Sequence, residues 1–387
     1  MTNFLGLSVT LFSQGFTLLL MWLLDPNLIG NILELSLIGY LITALLYFGS
    51  DQALSVAYVN HLNQIKDDSP NFRECVSHVI FLGIAVLFIC LIPLYFFHSL
   101  ESSFFLILSV SLNFYVLKGI EIFLRSNNKL SKFFLISLFQ VFVLNLLFLF
   151  FWAAFGIDGL NSMTFSRILS TLFLAIFIPW KLIFEVFKFL SLNKKVIMYF
   201  SNFSLNGIVS YILSQIDKLL ASWHFDGAAY AALSLMSNLT NLISFPKIIT
   251  SNQFIRSVSN EKFYLTKVRV LSLIYSFCFG VILIGSFFLL KDIILSEYKF
   301  ENFIWIFLLS ASLIEILIGP IGLILQYNYS VKYVVLSDLL TTFTLIIVFL
   351  ITKDFNATAL LFGAFFFLSR VMMVLTRFII WKYIKNV

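Results

Sequence analysis

The chain has 387 residues, of which 60% are hydrophobic, 18% aromatic and only 11% charged. Soluble domains carry about 25% charged residues, so this chain has too few charges to cover a water-exposed surface. The composition excludes a soluble enzyme, a nucleic-acid-binding protein and a disordered protein. It predicts an all-α polytopic membrane protein, in which the formal net charge of +6 comes from basic loops beside the membrane.

Twelve apolar stretches follow one another along the chain, each close to the length that a helix needs to cross a bilayer. They run over residues 4–24, 31–58, 76–97, 104–124, 133–155, 159–180, 197–220, 227–246, 268–290, 302–326, 332–352 and 358–381. The connections between them are short, so we expect twelve membrane-spanning helices and no large soluble domain.

Most of the 25 Lys and Arg residues fall in alternate connections between these spans. Cytoplasmic loops of membrane proteins carry an excess of basic residues. The alternation therefore predicts that both termini are cytoplasmic. It also supports an even number of spans, because an odd number would put the alternation out of step.

Short matches relate the two halves of the chain. Ser166-Arg167-Ile168 in the sixth span matches Ser369-Arg370-Val371 in the twelfth, and Trp180-Lys181 matches Trp381-Lys382. Internal repeats of this kind are common in transporters. We therefore predict two six-helix bundles, residues 1–190 and 191–387; chance similarity within an apolar chain is the alternative.

Polar side chains recur at helical spacing in the first two spans of each half. The seventh span carries Asn202, Asn206, Ser210, Ser214 and Asp217, and the eighth carries Ser234, Ser237, Asn238, Asn241 and Ser244. Lipid-facing surfaces have no use for such side chains. The stripes predict a central polar cavity, while hydrogen bonding between packed helices is the alternative explanation.

Two arginines lie within predicted spans, Arg167 and Arg370. A guanidinium in a wet cavity suits a phosphate or a carboxylate, because it can donate two parallel hydrogen bonds. We predict that both contact an anionic substrate. The alternative is a buried Arg–acid pair that holds helices together, with Glu315 or Asp338 as the partner.

Three intramembrane acids, Asp51, Glu315 and Asp338, are predicted coupling sites for protons or cations, because desolvation favours the neutral form of a carboxyl. Salt-bridge partnership is an equal alternative. Asp217, Asn206 and Asn238 are predicted to line the substrate path.

Two lysines have a local explanation. We expect Lys218 to point outward to the interface. Lys118 and Glu121 have the i, i+3 spacing of a local ion pair.

The sequence contains no catalytic constellation, no phosphate-binding loop and no metal-ligand spacing. We therefore expect a protein that is not an enzyme and that needs no cofactor or metal.

Two segments resemble a known family. Ser214-Gln215-Ile216-Asp217-Lys218-Leu219-Leu220, followed by Gly227-Ala228-Ala229-Tyr230-Ala231-Ala232, is similar to the segment from the seventh to the eighth helix of bacterial polysaccharide flippases. Leu124-Arg125-Ser126-Asn127-Asn128-Lys129 resembles the loop between their fourth and fifth helices. The chain departs from the pattern in having Lys218 where Arg is more usual and Gly227 one position early. It resembles the Wzx-type O-antigen flippases of the MOP (MATE-like) superfamily.

The resemblance implies a MATE-like fold of two six-helix bundles around a V-shaped cavity that works by alternating access. It implies an undecaprenyl-diphosphate-linked glycan as cargo, an ion gradient as the driving force and the bacterial inner membrane as the location. A polysaccharide polymerase and a chain-length regulator are expected partners besides the lipid bilayer. The alternatives are a MATE-like exporter of small cationic molecules and a membrane polysaccharide polymerase or acyltransferase.

Overall fold

A computed structural model of the protein describes residues 2–47, 102–126, 129–178, 225–254, 257–294, 304–352 and 359–386. It also describes residues 180, 194, 198, 209, 211–213, 215, 218, 219, 221 and 222. Every regular element among these residues is a helix, so the predicted all-α fold is confirmed. The predicted span 76–97 and the predicted site residues Asp51, Asn206 and Asp217 lie outside the described residues.

The described helices are α1 (Thr2–Leu23), α2 (Pro26–Tyr47), α3 (Ser102–Ser126), α4 (Leu130–Leu149), α5 (Gly159–Ala175), α6 (Gly227–Gln253), α7 (Glu261–Ile294), α8 (Ile304–Ile318), α9 (Ile321–Ile324), α10 (Val331–Thr352) and α11 (Ala359–Asn386). Single π-helical turns, Phe150–Ala154 and Leu325–Tyr329, follow α4 and α9.

Six stretches among the described helices are long and apolar enough to cross a membrane: Pro26–Ala44, Ser102–Glu121, Ser131–Ala154, Ile306–Tyr329, Val331–Val348 and Gly363–Lys385. Many large apolar side chains are exposed, including Phe277 at 74% and Phe343 at 66%. An apolar surface this extensive requires lipid as its solvent.

Aspartate residues mark the start of three helices. Asp158 accepts a hydrogen bond from the Asn161 amide at the start of α5, and Asp226 accepts one from the Ala229 amide at the start of α6. Asp25 accepts from the Asn27 amide just before Pro26 opens α2. Each carboxylate satisfies a backbone donor that the first helical turn leaves free, which fixes where the helix begins.

The chain divides into two compact units. Unit 1 comprises Met1–Leu5 and Glu34–Tyr211, and unit 2 comprises Gly6–Leu33 and Ile212–Val387. The two units are not separated at a single position in the sequence, because most of α1 and the start of α2 belong to unit 2. The predicted bundles 1–190 and 191–387 stay a prediction.

Unit 1 is organised around α5, which packs against α3 and α4. Its apolar core joins the three helices through five buried side chains, Ile120, Leu124, Phe133, Ile136 and Leu174. This packing holds one face of α5 against α3, and that face carries the polar residues described below.

Unit 2 is organised around α8 and α11, which pack against each other; α6 and α7 pack against α8, and α10 packs against α11. The starts of α2 and α6 also meet within this unit. A Cβ atom added at Gly30 would lie 2.1 Å from the Gly227 carbonyl oxygen. Only glycine permits the two backbones to approach this closely.

The predicted span 302–326 is interrupted after Ile318. Gly319 has a φ of +83° and Pro320 follows it, so the helix ends and restarts as α9. Arg269 of α7 donates from Nε and Nη2 to the Ile318 carbonyl oxygen, at 3.2 and 2.6 Å. A guanidinium thus satisfies a carbonyl that the helix end leaves free.

Candidate functional site

Arg167 of α5 is a half-buried cation whose guanidinium lies beside neutral groups in the described part of the chain. Its Nη1 lies 3.5 Å from Asn113 Oδ1, and its Nη2 lies 3.5 Å from the Tyr40 hydroxyl. Both hydrogen bonds are long. The Nε–H group is buried and has no hydrogen-bond partner among the residues that the structure describes. Among the described parts of the chain, no carboxylate forms an ion pair with Arg167.

One aromatic hydroxyl group, that of Tyr40, belongs to the surroundings of this guanidinium. The Tyr40 ring packs edge-on against Phe114, with 4.9 Å between ring centroids, which fixes the direction of its hydroxyl. The arrangement combines one cation, an amide and a hydroxyl group, and these are the groups that hydrogen-bond phosphate oxygens and sugar hydroxyls.

A buried amide network supports Arg167 from the interior of unit 1. Gln140 of α4 donates from Nε2 to Asn113 Oδ1 at 3.1 Å and to Ser170 Oγ at 3.2 Å. Asn113 of α3 donates from Nδ2 to Thr171 Oγ1 at 3.0 Å. Sequence reasoning missed both amides, although a single Asn or Gln in an apolar span is itself an indication of function.

The second predicted arginine, Arg370 of α11, lies beside an acid of unit 2. Its Nη1 is 3.9 Å from Glu315 Oε2, and its guanidinium lies over the Phe366 ring at 5.2 Å from the centroid. Lys247 of α6 forms an ion pair with the other oxygen, Oε1. Of the two partners considered for Arg370, the structure selects Glu315.

Asp338 of α10 pairs instead with Arg377, a residue that the sequence analysis did not single out. Arg377 lies within α11, and its Nη2 is 2.7 Å from Asp338 Oδ1 and 2.8 Å from Oδ2. The geometry matches the salt-bridge alternative for Asp338, and its coupling role stays a prediction.

The buried charged groups of unit 2 that the structure describes are three cations and two carboxylates. Lys247, Arg370 and Arg377 act electrostatically on Glu315, and Asp338 is the second acid of the group. Three cations therefore face two carboxylates, with side chains no more than 17% exposed.

Asn238 of α6 takes part in a contact with a cation. Lys218 donates from Nζ to Asn238 Oδ1 at 2.7 Å, so the expectation that Lys218 points outward was wrong. The Asn238 amide provides an acceptor that interfacial water would otherwise supply. The predicted pair of Lys118 and Glu121 is confirmed, with 2.9 Å between Nζ and Oε2.

Within the described residues, no group of three or more His, Cys, Asp and Glu side chains could hold a metal ion. The buried polar groups of both units are amides, hydroxyls, guanidinium groups and ion pairs. Such groups can bind an anion and hydroxyl-bearing molecules.

Comparison with known proteins identifies the fold. No family model matches the sequence, and no curated protein matches it significantly. Solved MATE and MOP superfamily structures do match, over nearly the full length of both chains. A MATE structure in complex with MaL6 is 13% identical with a TM-score of 0.65, covering 99% of this chain and 94% of that chain.

Two further matches are similar in extent. A MOP superfamily transporter from Pyrococcus furiosus is 12% identical with a TM-score of 0.66, covering 99% of this chain and 93% of that chain. The Vibrio cholerae MATE transporter VcmN, solved as a mutant, is 12% identical with a TM-score of 0.63, covering 100% and 95%. The chain therefore has the MATE transporter fold, and the predicted twelve helices are consistent with it.

Proposed function

We propose that the chain is a membrane transporter that moves an undecaprenyl-diphosphate-linked oligosaccharide across the bacterial inner membrane. The glycan headgroup is too polar to cross hydrocarbon unaided. It would pass along polar protein surfaces while the polyprenyl chain remains in lipid. The MATE transporter fold supports a transport function, and the resemblance to Wzx-type flippases supports this cargo.

Arg167 is the observation that carries the proposal. A cation within a membrane span is costly without a counter-ion or water. The described surroundings of Arg167 offer an amide and a hydroxyl at long range, and they leave its Nε–H without an acceptor. A diphosphate supplies oxygens for all of these donors and the charge that the protein does not provide.

The buried charges of unit 2 support the same class of cargo. Among the described residues these groups comprise three cations and two carboxylates, which supports an anionic headgroup with Arg370 as its contact. The Pyrococcus furiosus transporter is described as having a binding pocket of reverse polarity, which suggested a different function for it. By analogy, a basic set of buried groups on this fold supports a cargo other than a small cation.

The remaining assignments follow from the same proposal. Asp51, Glu315 and Asp338 are the coupling candidates, and Asn206, Asp217 and Asn238 line the glycan path. Both termini are cytoplasmic, and the polymerase and chain-length regulator act on the glycan after it has crossed.

The proposal is tested in proteoliposomes with a fluorescent, undecaprenyl-diphosphate-linked oligosaccharide. We expect the wild-type protein to bring the labelled headgroup to the opposite leaflet and Arg167→Gln to lose at least tenfold in rate, because a charge-assisted bond to phosphate is lost. Lys132→Gln, which removes an exposed cation of the same unit, is the matched control and should retain the wild-type rate. A wild-type protein that leaves the labelled lipid in place contradicts the proposal.

Export of small cationic molecules is the second candidate. One matching structure is described as a multidrug resistance MATE family transporter, with a TM-score of 0.62 at 13% identity. Such an exporter requires acids that are free to bind a cation, whereas Glu315 and Asp338 are paired with cations here. Raised resistance to cationic drugs on overexpression, with no movement of the glycolipid, would favour this candidate.

A further inference from the structure

One amide oxygen in unit 1 is shared between the buried network and the predicted anion contact. Asn113 Oδ1 accepts from Gln140 Nε2 at 3.1 Å and lies 3.5 Å from Arg167 Nη1. The Asn113 and Gln140 side chains are almost fully buried, at 1% and 3% exposure. The group nearest to the Arg167 guanidinium on this side is therefore a fixed, neutral acceptor.

The neutrality of this acceptor matters for anion binding. A carboxylate at the same place would form a short, charge-assisted pair with the guanidinium and would use the donors that a phosphate needs. An amide oxygen orients the guanidinium and leaves its charge uncompensated. Burying two amides costs free energy unless they are hydrogen-bonded, and here the hydroxyls of Ser170 and Thr171 complete the bonding.

We infer that Asn113 and Gln140 are positioning residues for Arg167, which hold its guanidinium with neutral acceptors so that the diphosphate of the cargo is its counter-ion. This inference rests on the proposed function and adds two residues that select for an anionic headgroup. Neither residue touches the cargo; they act through Arg167.

The test replaces the neutral acceptor by a charged one of the same size. In Asn113→Asp the new carboxylate pairs with Arg167, so thermal stability in detergent should be unchanged or higher. Affinity for undecaprenyl diphosphate, measured from the ligand-induced rise in Tm, should fall roughly tenfold or more because the protein now supplies the counter-ion. Ser109→Ala is the matched control on α3, since its buried hydroxyl donates to the Leu106 carbonyl of the same helix.

A neutral variant separates charge from packing. Asn113→Ser keeps an uncharged acceptor but shortens the side chain, so it should retain more affinity than Asn113→Asp while being less stable. If Asn113 had a purely structural role, affinity would follow stability. Asn113→Asp would then bind undecaprenyl diphosphate more tightly than Asn113→Ser, which is the opposite of the expected order. If Asn113→Asp does not yield folded protein, the same affinity measurement is made on Gln140→Glu, because that substitution places a carboxylate within the same network.

The outcomes separate the two proposals. A wild-type protein whose Tm does not respond to undecaprenyl diphosphate overturns the proposed function. A wild-type response that persists with unchanged affinity in the carboxylate variants overturns the positioning role alone.

Discussion

Arg377 donates three hydrogen bonds to the carboxylate of Asp338, from Nε to Oδ1 at 3.1 Å and from Nη2 to both oxygens at 2.7 and 2.8 Å. The Asp338 side chain has no exposed surface. This bidentate pair joins α10 to α11 within unit 2. Two opposite charges held this closely compensate each other's desolvation.

Breaking this pair from one side should therefore destabilise the protein strongly. We expect Asp338→Ala to lower the free energy of unfolding by about 3–5 kcal/mol, because Arg377 is left buried without a counter-ion. The double variant Asp338→Leu with Arg377→Met should recover most of that loss. Thermal unfolding of the purified proteins in detergent measures both, and a double variant less stable than Asp338→Ala contradicts the pairing argument.

Arg370 and Lys247 contact the same carboxylate but should differ in their effects. Arg370→Ala leaves Glu315 paired with Lys247, so we expect a loss of about 1–2 kcal/mol in stability, normal membrane insertion and no surface glycan. Lys247→Met removes the closer partner of Glu315 and should cost about 3 kcal/mol. Unfolding curves and glycan staining of cells check both. Full surface polymer from Arg370→Ala would refute its contact with substrate.

The helix break at Gly319 should depend on glycine. Gly319→Ala forces a side chain into the left-handed region, at a cost of about 1–2 kcal/mol, and places its Cβ 3.2 Å from Arg269 Nε. Gly156→Ala has the same kind of backbone, with a φ of +65°, but open space around it. Gly156→Ala should therefore lose only the stability that the left-handed backbone conformation costs, with no added steric contact.

Gly285→Ala completes this series as a positive control. It lies within α7, with nothing within 4 Å of the added Cβ. Alanine is the better helix former by about 1 kcal/mol, so this variant should be as stable as the wild type or more so. Equal Tm values for all three glycine variants would contradict the account of the break.

Glu261 should make stability depend on pH at the start of α7, outside the apolar spans. Burial by itself raises its pKa, but hydrogen bonds from Asn328, Tyr329 and Lys385 outweigh burial and place the pKa below the ordinary value of 4.5. A carboxyl with a lowered folded-state pKa stabilises the protein above its unfolded-state pKa. This contribution should be lost as the pH falls from about 4.5 through the lowered pKa.

The measurement is Tm against pH for the wild type and Glu261→Gln. The variant should be less stable at neutral pH, and the difference should shrink as the solution becomes acidic, because the protonated wild type then resembles the variant. A difference that stays constant below pH 4.5 contradicts the role of the Glu261 carboxylate.

Features that depend on neighbours along the chain were predictable. The i, i+3 spacing of Lys118 and Glu121 brings their side chains together on any helix. The Gly319-Pro320 pair marks a place where a helix is weakened, because proline donates no backbone hydrogen bond and glycine tolerates positive φ. The apolar runs required a membrane regardless of how the helices pack.

Contacts between helices needed the fold. Glu315 and Asp338 were equally plausible partners of Arg370, and Arg377 was not considered, because helix rotation and packing choose among residues distant along the chain. The same holds for Asn113 and Gln140, which are 27 residues apart and meet only because α3, α4 and α5 pack together.

The composition of the sequence thus determined that the protein lies in lipid, that it is all-helical and roughly where each span runs. These properties depend on transfer free energies summed over each segment. Only the packing of the helices decided which cation pairs with each carboxylate. It also decided that Arg167 lies beside neutral groups in the described part of the chain. Both contacts depend on distances of a few ångströms between separate helices.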